Sequence, residues 1–193
     1  MVIRRGEEWG SPVARPDGLR TFADDAALAE ALPTSDPLAV SGGDLHRALG
    51  SPTPRAEMQL VDIDLVRVTL DGRPVGAVAH VVARRSWWRG PAVLVMNTDQ
   101  LGEWNVAPRG HPNDGRVDVL EISAAMSLRE RWQMRKRLVQ GTHLPHPRLT
   151  ARSVRQNSWR FDRPLDVWVD GVGCGRVREL TVDVEADAFQ LHI

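Results

Sequence analysis

The chain has 193 residues with 25 basic and 25 acidic side chains, so its formal net charge is zero and nucleic acid is not expected as a partner. Its one cysteine, Cys174, excludes an intrachain disulfide and a zinc site built on cysteines. We find no apolar run of about 18 residues and no signal peptide in the first residues, so we expect a cytoplasmic protein without a membrane-spanning helix.

The first 36 residues are rich in glycine and proline, and we predict that they form an extension with one short helix. The helix is predicted over FADDAALAEAL (22–32), where Asp24 or Asp25 would lie in the first turn and interact favourably with the helix dipole. The apolar segment 38–40 then predicts a short strand. Asp44 is suited to cap the next helix, which Gly50 ends. The main domain is therefore predicted over residues 37–193.

From residue 59 onward, apolar and polar residues alternate with the period of a β-strand. QLVDIDLVRVTL (59–70) has one acidic and one apolar face, and Asp71 with Gly72 indicates a hairpin after it. PAVLVMN (91–97) is apolar throughout, which predicts a strand buried on both faces. Several further segments with the same alternation follow, so an antiparallel, β-rich domain is predicted.

One long helix is predicted over SLRERWQMRKRLVQG (127–141). Ser127 and Glu130 have the spacing of a capping box, and an apolar stripe is predicted from Leu128, Trp132 and Leu138. The basic residues of this helix most simply form a solvated face, with anionic lipid head groups as the alternative contact; they are Arg129, Arg131, Arg135, Lys136 and Arg137. The predicted fold class is mainly β (α+β): an antiparallel β-sandwich with one main basic helix and one or two short N-terminal helices.

The segment RRSWWRG (84–90) combines two adjacent tryptophans with three arginines. Neighbouring residues on a strand point to opposite faces, so we expect either Trp87 or Trp88 to remain partly outside the core. The flanking basic residues are Arg84, Arg85 and Arg89. This composition predicts a contact with a lipid, a membrane surface or a protein partner, and it is compatible with peripheral membrane association.

Several motifs together resemble the C-terminal, lipid-binding β-sandwich domain of the bacterial diacylglycerol kinase and sphingosine kinase-like lipid kinases. The resemblance covers roughly residues 36–193 and rests on the order of NVAPRGHPNDGRVDVLEI, GTHLPHPRLTARSVR, LDVWVDG and LTVDVEADAFQLHI. The earlier stretch SGGDLHRALG is similar to the family's Gly-Thr-x-Asn-Asp-x-Ala-Arg-x-Leu-Gly motif at Asp44, Arg47, Leu49 and Gly50. VDIDLVRV (61–68) is similar to the strand that follows that motif.

The resemblance implies three catalytic aspartates. Asp170, in LDVWVDG, would be the general base that accepts the proton of a lipid hydroxyl, and Asp44 and Asp64 would support the phosphoryl site. The glutamate that the family has after the Asp-Gly pair is Val172 here. The alternative interpretation gives Asp44 the role of a helix cap, Asp64 that of a strand-surface residue and Asp170 that of a turn residue, and it is favoured.

The resemblance also implies a structural divalent cation at the Pro-Asn-Asp-Gly turn. The Asp114 carboxylate and nearby backbone carbonyls would bind Mg²⁺ or Ca²⁺, both of which prefer oxygen ligands. A simple turn without a cation is the alternative.

Members of the family carry a nucleotide-binding domain of about a hundred residues before the segment that matches here. Residues 1–36 are too few for such a domain, and SGGDLH has Leu45 and His46 where a Gly-Gly-Asp-Gly-Thr phosphate loop has glycine and threonine. We therefore predict a kinase-like pseudoenzyme that does not bind ATP as an isolated chain and that binds a lipid or protein partner. The alternative is an active, ATP-dependent lipid kinase completed by a partner chain or by a second copy in a homodimer.

Overall fold

The computed structural model describes residues 9–53 and 55–193. Residues 1–8, which belong to the predicted extension 1–36 and to the segment inspected for a signal peptide, lie outside the described residues. The helices are α1 (Asp25–Ala31), α2 (Gly43–Ala48) and α3 (Leu128–Leu138). The strands are β1 (Ser11–Ala14), β2 (Arg20–Phe22), β3 (Leu38–Val40), β4 (Glu57–Leu70), β5 (Arg73–Ala77), β6 (His80–Arg84), β7 (Ala92–Met96), β8 (Gln100–Leu101), β9 (Trp104–Asn105), β10 (Val117–Ile122), β11 (Leu149–Val154), β12 (Gln156–Val169) and β13 (Val172–His192).

The largest element of the described chain is a nine-stranded antiparallel sheet, in the order β1-β4-β13-β12-β6-β7-β10-β11, with β5 also paired to β4. Its central members are unusually long, since β13 has 21 residues and β4 and β12 have 14 each. Two small sheets, β2 with β3 and β8 with β9, lie beside it. The predicted antiparallel, β-rich α+β fold is confirmed.

The sheet curves over its own apolar core. Val68 of β4 and Val119 of β10, which are separated by four strands in the sheet order, belong to the same buried cluster, together with Val95 and Val167. Such a cluster requires the two ends of the sheet to face each other, as the layers of a sandwich do. Helix α3 covers the opposite face of β7 and β10, so every residue of β7 is buried, as its apolar sequence predicts.

Helix α3 begins with the predicted capping box, in which the Ser127 and Glu130 side chains each accept from the other's backbone. The predicted apolar stripe is wrong at Leu128 and Trp132, which are about half exposed, at 51% and 50%, and it is confirmed at Leu138, which is buried. The side that packs on the sheet carries Arg131, Met134 and Leu138. The reason is the i, i+3, i+7 spacing of these three residues, which places them on one face of the helix. Arg131 is therefore buried and not part of a solvated basic face.

The described residues before position 37, 9–36, pack against the sheet. Strand β1 pairs with β4, and β2 pairs in parallel with β3. The predicted helix 22–32 is confirmed as α1, with Asp24 as its N-cap, and Leu28 of α1 packs with Leu45 of α2 on the outer face of β4. No helix among residues 9–53 and 55–193 has the length and apolar character that crossing a membrane requires.

The prediction that Asp44 caps helix α2 is wrong. The N-cap of α2 is Gly42, and Asp44 lies inside the first turn with its side chain buried. Asp44 therefore does not cap the helix. The reason is that its carboxylate has tertiary partners, described below, that a capping position would not reach.

Candidate functional site

Asp170 occupies the tight turn between β12 and β13. It has φ +47 and is followed by Gly171 with φ +83, as expected of an Asp-Gly hairpin turn. Only 8% of the residue is exposed. Oδ1 accepts the backbone N–H groups of Ala79 at 3.0 Å and His80 at 2.8 Å, and Oδ2 accepts that of Val78 at 2.8 Å. The carboxylate thus binds the whole connection between β5 and β6.

His80 lies between two carboxylates. Its backbone N–H donates to Asp170, and its ring Nδ1 lies 3.3 Å from Oδ2 of Asp44 without hydrogen-bond geometry. Burial lowers the pKa of the His80 imidazole, although the Asp170 and Asp44 carboxylates act in the opposite direction. Burial likewise raises the pKa of Asp170. His80 is therefore a neutral ring at pH 7, held between acidic groups.

Asp44 connects helix α2 to the rest of this cluster. Besides facing His80, its Oδ1 accepts the backbone N–H of Gly102 at 2.9 Å, in the turn between β8 and β9. The same oxygen contacts the guanidinium of Arg47, one turn further along α2. Asp44 and Asp170 thus both lie against His80, and the catalytic roles of the three aspartates stay predictions.

Asp25 closes the N-terminus of α2 and was not predicted as a site residue. Its carboxylate accepts the backbone N–H groups of Asp44 at 2.6 Å and Leu45 at 3.2 Å. Gly43 has φ +93, and a Cβ at this position would clash with the Asp25 carboxylate. An anion that binds at a helix N-terminus would need these same N–H groups. The stretch SGGDLH therefore forms a turn and the first turn of α2. The backbone N–H groups at this helix start already donate to the Asp25 carboxyl group.

The only sequence signal for Asp25 is the Asp24-Asp25 pair. One aspartate suffices to cap α1, and the structure assigns that role to Asp24, which accepts the N–H of Ala27 at 2.8 Å. The second is then free to face α2, which is 19 positions further on. Only the packing of α1 against α2 shows that Asp24 caps α1 and that Asp25 binds the start of α2.

We expect Asp25 to make stability depend on pH. Burial, followed by repulsion from Asp170 and Asp44, raises the pKa of Asp25 from 3.8 to about 7 in the folded protein. The protonated form thus stabilises the fold below about pH 4, and this contribution of at most about 4 kcal/mol is lost as the pH rises through 7. Urea unfolding from pH 4 to 8 should show the difference between wild type and Asp25→Asn decreasing with pH. The exposed Asp17→Asn is the control, and a pH-independent difference for Asp25→Asn would contradict this expectation.

Asp64 belongs to a different cluster. It is fully buried, and its carboxylate accepts the backbone N–H groups of Gly115 at 2.6 Å and Asp187 at 2.9 Å. The interpretation of Asp64 as a strand-surface residue is therefore wrong, because these two distant loops cover it. Its hydrogen-bond partners differ from those of Asp44 and Asp170, and Asn97 connects the two clusters by donating to the backbone carbonyls of Asp64 and Val78.

Asp114 lies in the predicted turn, and its Oδ1 accepts the backbone N–H of Arg116 at 2.9 Å. Burial, with repulsion from Asp118 and Asp64, raises the pKa of Asp114 to about 6. Within residues 9–53 and 55–193, no group of three His, Cys, Asp or Glu side chains is arranged to hold a metal ion. A cation held by Asp114 and backbone carbonyls stays a prediction.

The segment 84–90 borders a cleft of about 430 Å³, which we call the tryptophan cleft and define by His80, Arg84, Trp87, Trp104, Arg135 and Trp168. Trp87 packs edge-to-face on Trp104, with ring centroids 4.9 Å apart, while Trp88 is 44% exposed. Arg85 and Arg89 lie on the exposed surface. Arg84 and Trp87 were predicted contact residues, and Arg135 was one of the helix residues with anionic lipid as the alternative contact. Trp104 and Trp168 were not predicted, because they come from separate segments without a shared motif.

Comparison with solved structures identifies the fold. Two structures of "a putative diacylglycerol kinase from Bacillus anthracis str. Sterne" match with TM-scores of 0.68 and 0.67, each at 12% identity over 90% of this chain and 77% of theirs. A structure of a diacylglycerol kinase from the same organism matches with a TM-score of 0.61, at 13% identity over 90% of this chain and 75% of its own. No protein-family model and no curated protein sequence matches the chain. The described chain therefore shares the fold of these proteins, which confirms the resemblance at the level of the fold.

Proposed function

We propose that this chain is the acceptor-side domain of a diacylglycerol kinase-like protein, which binds a lipid or protein partner and does not transfer phosphate by itself. The fold shared with the Bacillus anthracis proteins supports the first part. The observation that carries the second part is the environment of Asp170, whose two carboxylate oxygens accept three backbone hydrogen bonds in a buried turn.

A general base must reach the proton that it removes, at a heavy-atom distance of about 2.6–3.2 Å. In this chain, the oxygens of Asp170 are used to hold the β5–β6 connection, and the residue is buried. Val172, at the position that carries a glutamate in the lipid kinases it resembles, is 55% exposed and has no carboxylate. Asp170 is accordingly proposed to act as a structural residue.

The stretch that resembles a phosphate-site motif supports the same proposal. Leu45 is fully buried in the core between α1, α2 and β4, so this position contributes to packing. The N–H groups of Asp44 and Leu45 are already bonded to the Asp25 carboxyl group, so they are not available to a phosphate. A nucleotide phosphate is therefore not proposed as a ligand of this segment.

A kinase assay tests the proposal directly. With purified chain, ATP, Mg²⁺ and diacylglycerol in mixed micelles, we expect phosphatidic acid formation at the level of the enzyme-free control. Turnover that is lost in Asp170→Asn, but kept in the exposed Asp183→Asn, would contradict the proposal. Circular dichroism of both variants distinguishes a lost base from a lost fold.

The alternative, an active lipid kinase completed by another chain, draws support from the convergence of Asp44 and Asp170 around His80. If a second copy completed the site, the specific activity in the same assay would rise with protein concentration. Asp64 supports this alternative less, since its carboxylate is committed to Gly115 and Asp187.

A further inference from the structure

The tryptophan cleft presents flat apolar surfaces on several sides. Trp87 and Trp104 meet edge-to-face at an interplanar angle of 85°, and Trp168 lies on β12, where it pairs with Val82 of β6. All three indoles are partly exposed and pack against the core beneath α3. A cleft of about 430 Å³ lies within the usual size range of small-molecule sites, which are concave and largely aromatic or apolar.

Two arginines supply the positive charge of the cleft. The Arg84 guanidinium carbon lies 4.7 Å from the ring centroid of Trp87 and 4.1 Å from that of Trp168. The Arg135 guanidinium carbon lies 4.8 Å from the ring centroids of both Trp88 and Trp104. Stacking on indoles fixes the position of each guanidinium while leaving its N–H groups available at the edge.

Among the residues that the structure describes, neither guanidinium donates a hydrogen bond or forms an ion pair within 4 Å. Asp166, the acidic group that acts on Arg84, lies 3.7 Å from Arg176. Burial and the positive charge of Arg135 lower the pKa of Arg84, which nevertheless stays charged at neutral pH, as arginine does in proteins. The guanidinium groups of Arg84 and Arg135 are thus held near each other, and neither has a hydrogen-bond acceptor among the described residues.

The remaining ionisable groups at the cleft do not cancel this charge. His80 contributes a neutral ring, and the carboxylates behind it are occupied, Asp170 by three N–H groups and Asp44 by Gly102 and Arg47. Glu103 borders the cleft and is exposed to solvent, where its charge is screened. The cleft therefore combines an apolar body with a cationic edge.

We infer that the tryptophan cleft binds a small organic anion in which a phosphate or carboxylate group is attached to an apolar body. The apolar body would lie against the indoles, and the anionic group would accept hydrogen bonds from Arg84 and Arg135 in the geometry that guanidinium groups favour. This inference does not depend on the proposed function, since diacylglycerol carries no charge and would gain nothing from the two arginines.

Octyl phosphate and octanoate, both below their micellar concentrations, are suitable probes, with titrations followed by tryptophan fluorescence and calorimetry. We expect saturable binding of at least one of them, about tenfold tighter than that of either inorganic phosphate or octanol. The stronger of the two organic anions identifies the preferred head group. Saturable binding no tighter than that of inorganic phosphate, or equal binding of octanol, would overturn the inference, as would no binding of either organic anion.

Variants locate the site on the molecule. The double variant Arg84→Gln/Arg135→Gln should weaken binding by about tenfold or more, because it removes both cations without changing the fold. The matched control is Arg129→Gln/Arg137→Gln, which removes the same charge from exposed positions of α3 and should change affinity by less than about twofold. Near-ultraviolet circular dichroism reports whether the indoles keep their packing. An affinity that both double variants leave unchanged would place the anion elsewhere.

Discussion

Replacing Asp170 with alanine should lower the free energy of unfolding by about 3–5 kcal/mol, because it leaves three buried N–H groups without an acceptor. These groups belong to Val78, Ala79 and His80, and their distances to the carboxylate are between 2.8 and 3.0 Å. Each unsatisfied buried donor costs about 1–3 kcal/mol, and removing the desolvated carboxylate offsets part of the sum. Urea unfolding at pH 7, followed by far-ultraviolet circular dichroism, measures the difference.

Two further variants make this test specific. Asp183→Ala removes an exposed aspartate from β13 and should change stability by less than about 0.5 kcal/mol. Asp170→Asn should fall between wild type and alanine, because its amide oxygen can replace Oδ1 but its amide nitrogen would face the N–H of Val78. If Asp170→Ala cost less than about 1 kcal/mol, its carboxylate would not be structural, and a role as general base would regain support.

Replacing Arg131 with methionine should cost about 3–5 kcal/mol of stability, although the side chain keeps most of its volume. Arg131 is fully buried and donates to the backbone carbonyls of Met126 at 3.2 Å, Ser123 at 2.9 Å and Trp87 at 3.5 Å, and also to that of Gly90. These carbonyls lie in two loops, the one between β10 and α3 and the one between β6 and β7, so methionine would leave several buried acceptors unsatisfied at once. Urea unfolding monitored by tryptophan fluorescence measures both the stability and the environment of the 84–90 segment.

The matched control is Arg129→Met, on the exposed side of the same helix, for which we expect a change below about 0.5 kcal/mol. Arg131→Lys should lose nearly as much stability as Arg131→Met, because an ammonium group cannot reproduce the planar fork that reaches several carbonyls. Equal stability of the Arg131→Met and Arg129→Met variants would show that burial of the guanidinium contributes little.

Elements with a strong local pattern were predictable. The capping box of α3, the Asp-Gly turns at Asp71 and Asp170, and the buried strand β7 are each encoded within about ten residues. The order of the motifs also predicted the shared fold, although at 12% identity few single positions carried the signal. These predictions succeeded because caps, turns and strand periodicity depend on residues that are neighbours in the chain.

The partners of charged side chains were not predictable. Asp64 lies on a strand face that reads as acidic and exposed, yet the N–H that it accepts from Gly115 is 51 positions away. Arg131 lies among basic residues of an amphipathic helix and is buried among carbonyls up to 44 positions away. A periodic pattern shows which positions share a face, but it does not show which loop will cover that face.

By itself, the amino-acid sequence determined an antiparallel β-rich domain with a capped basic helix, because alternation and capping are local properties of the chain. Only the tertiary structure decided that Asp44 and Asp170 meet at His80, that Asp25 occupies the start of α2, and that three tryptophans and two arginines form one cleft. The physical reason is that hydrogen bonds and charge interactions act through space between segments that can be 123 positions apart, as Asp64 and Asp187 are, a distance over which residue order carries no contact information.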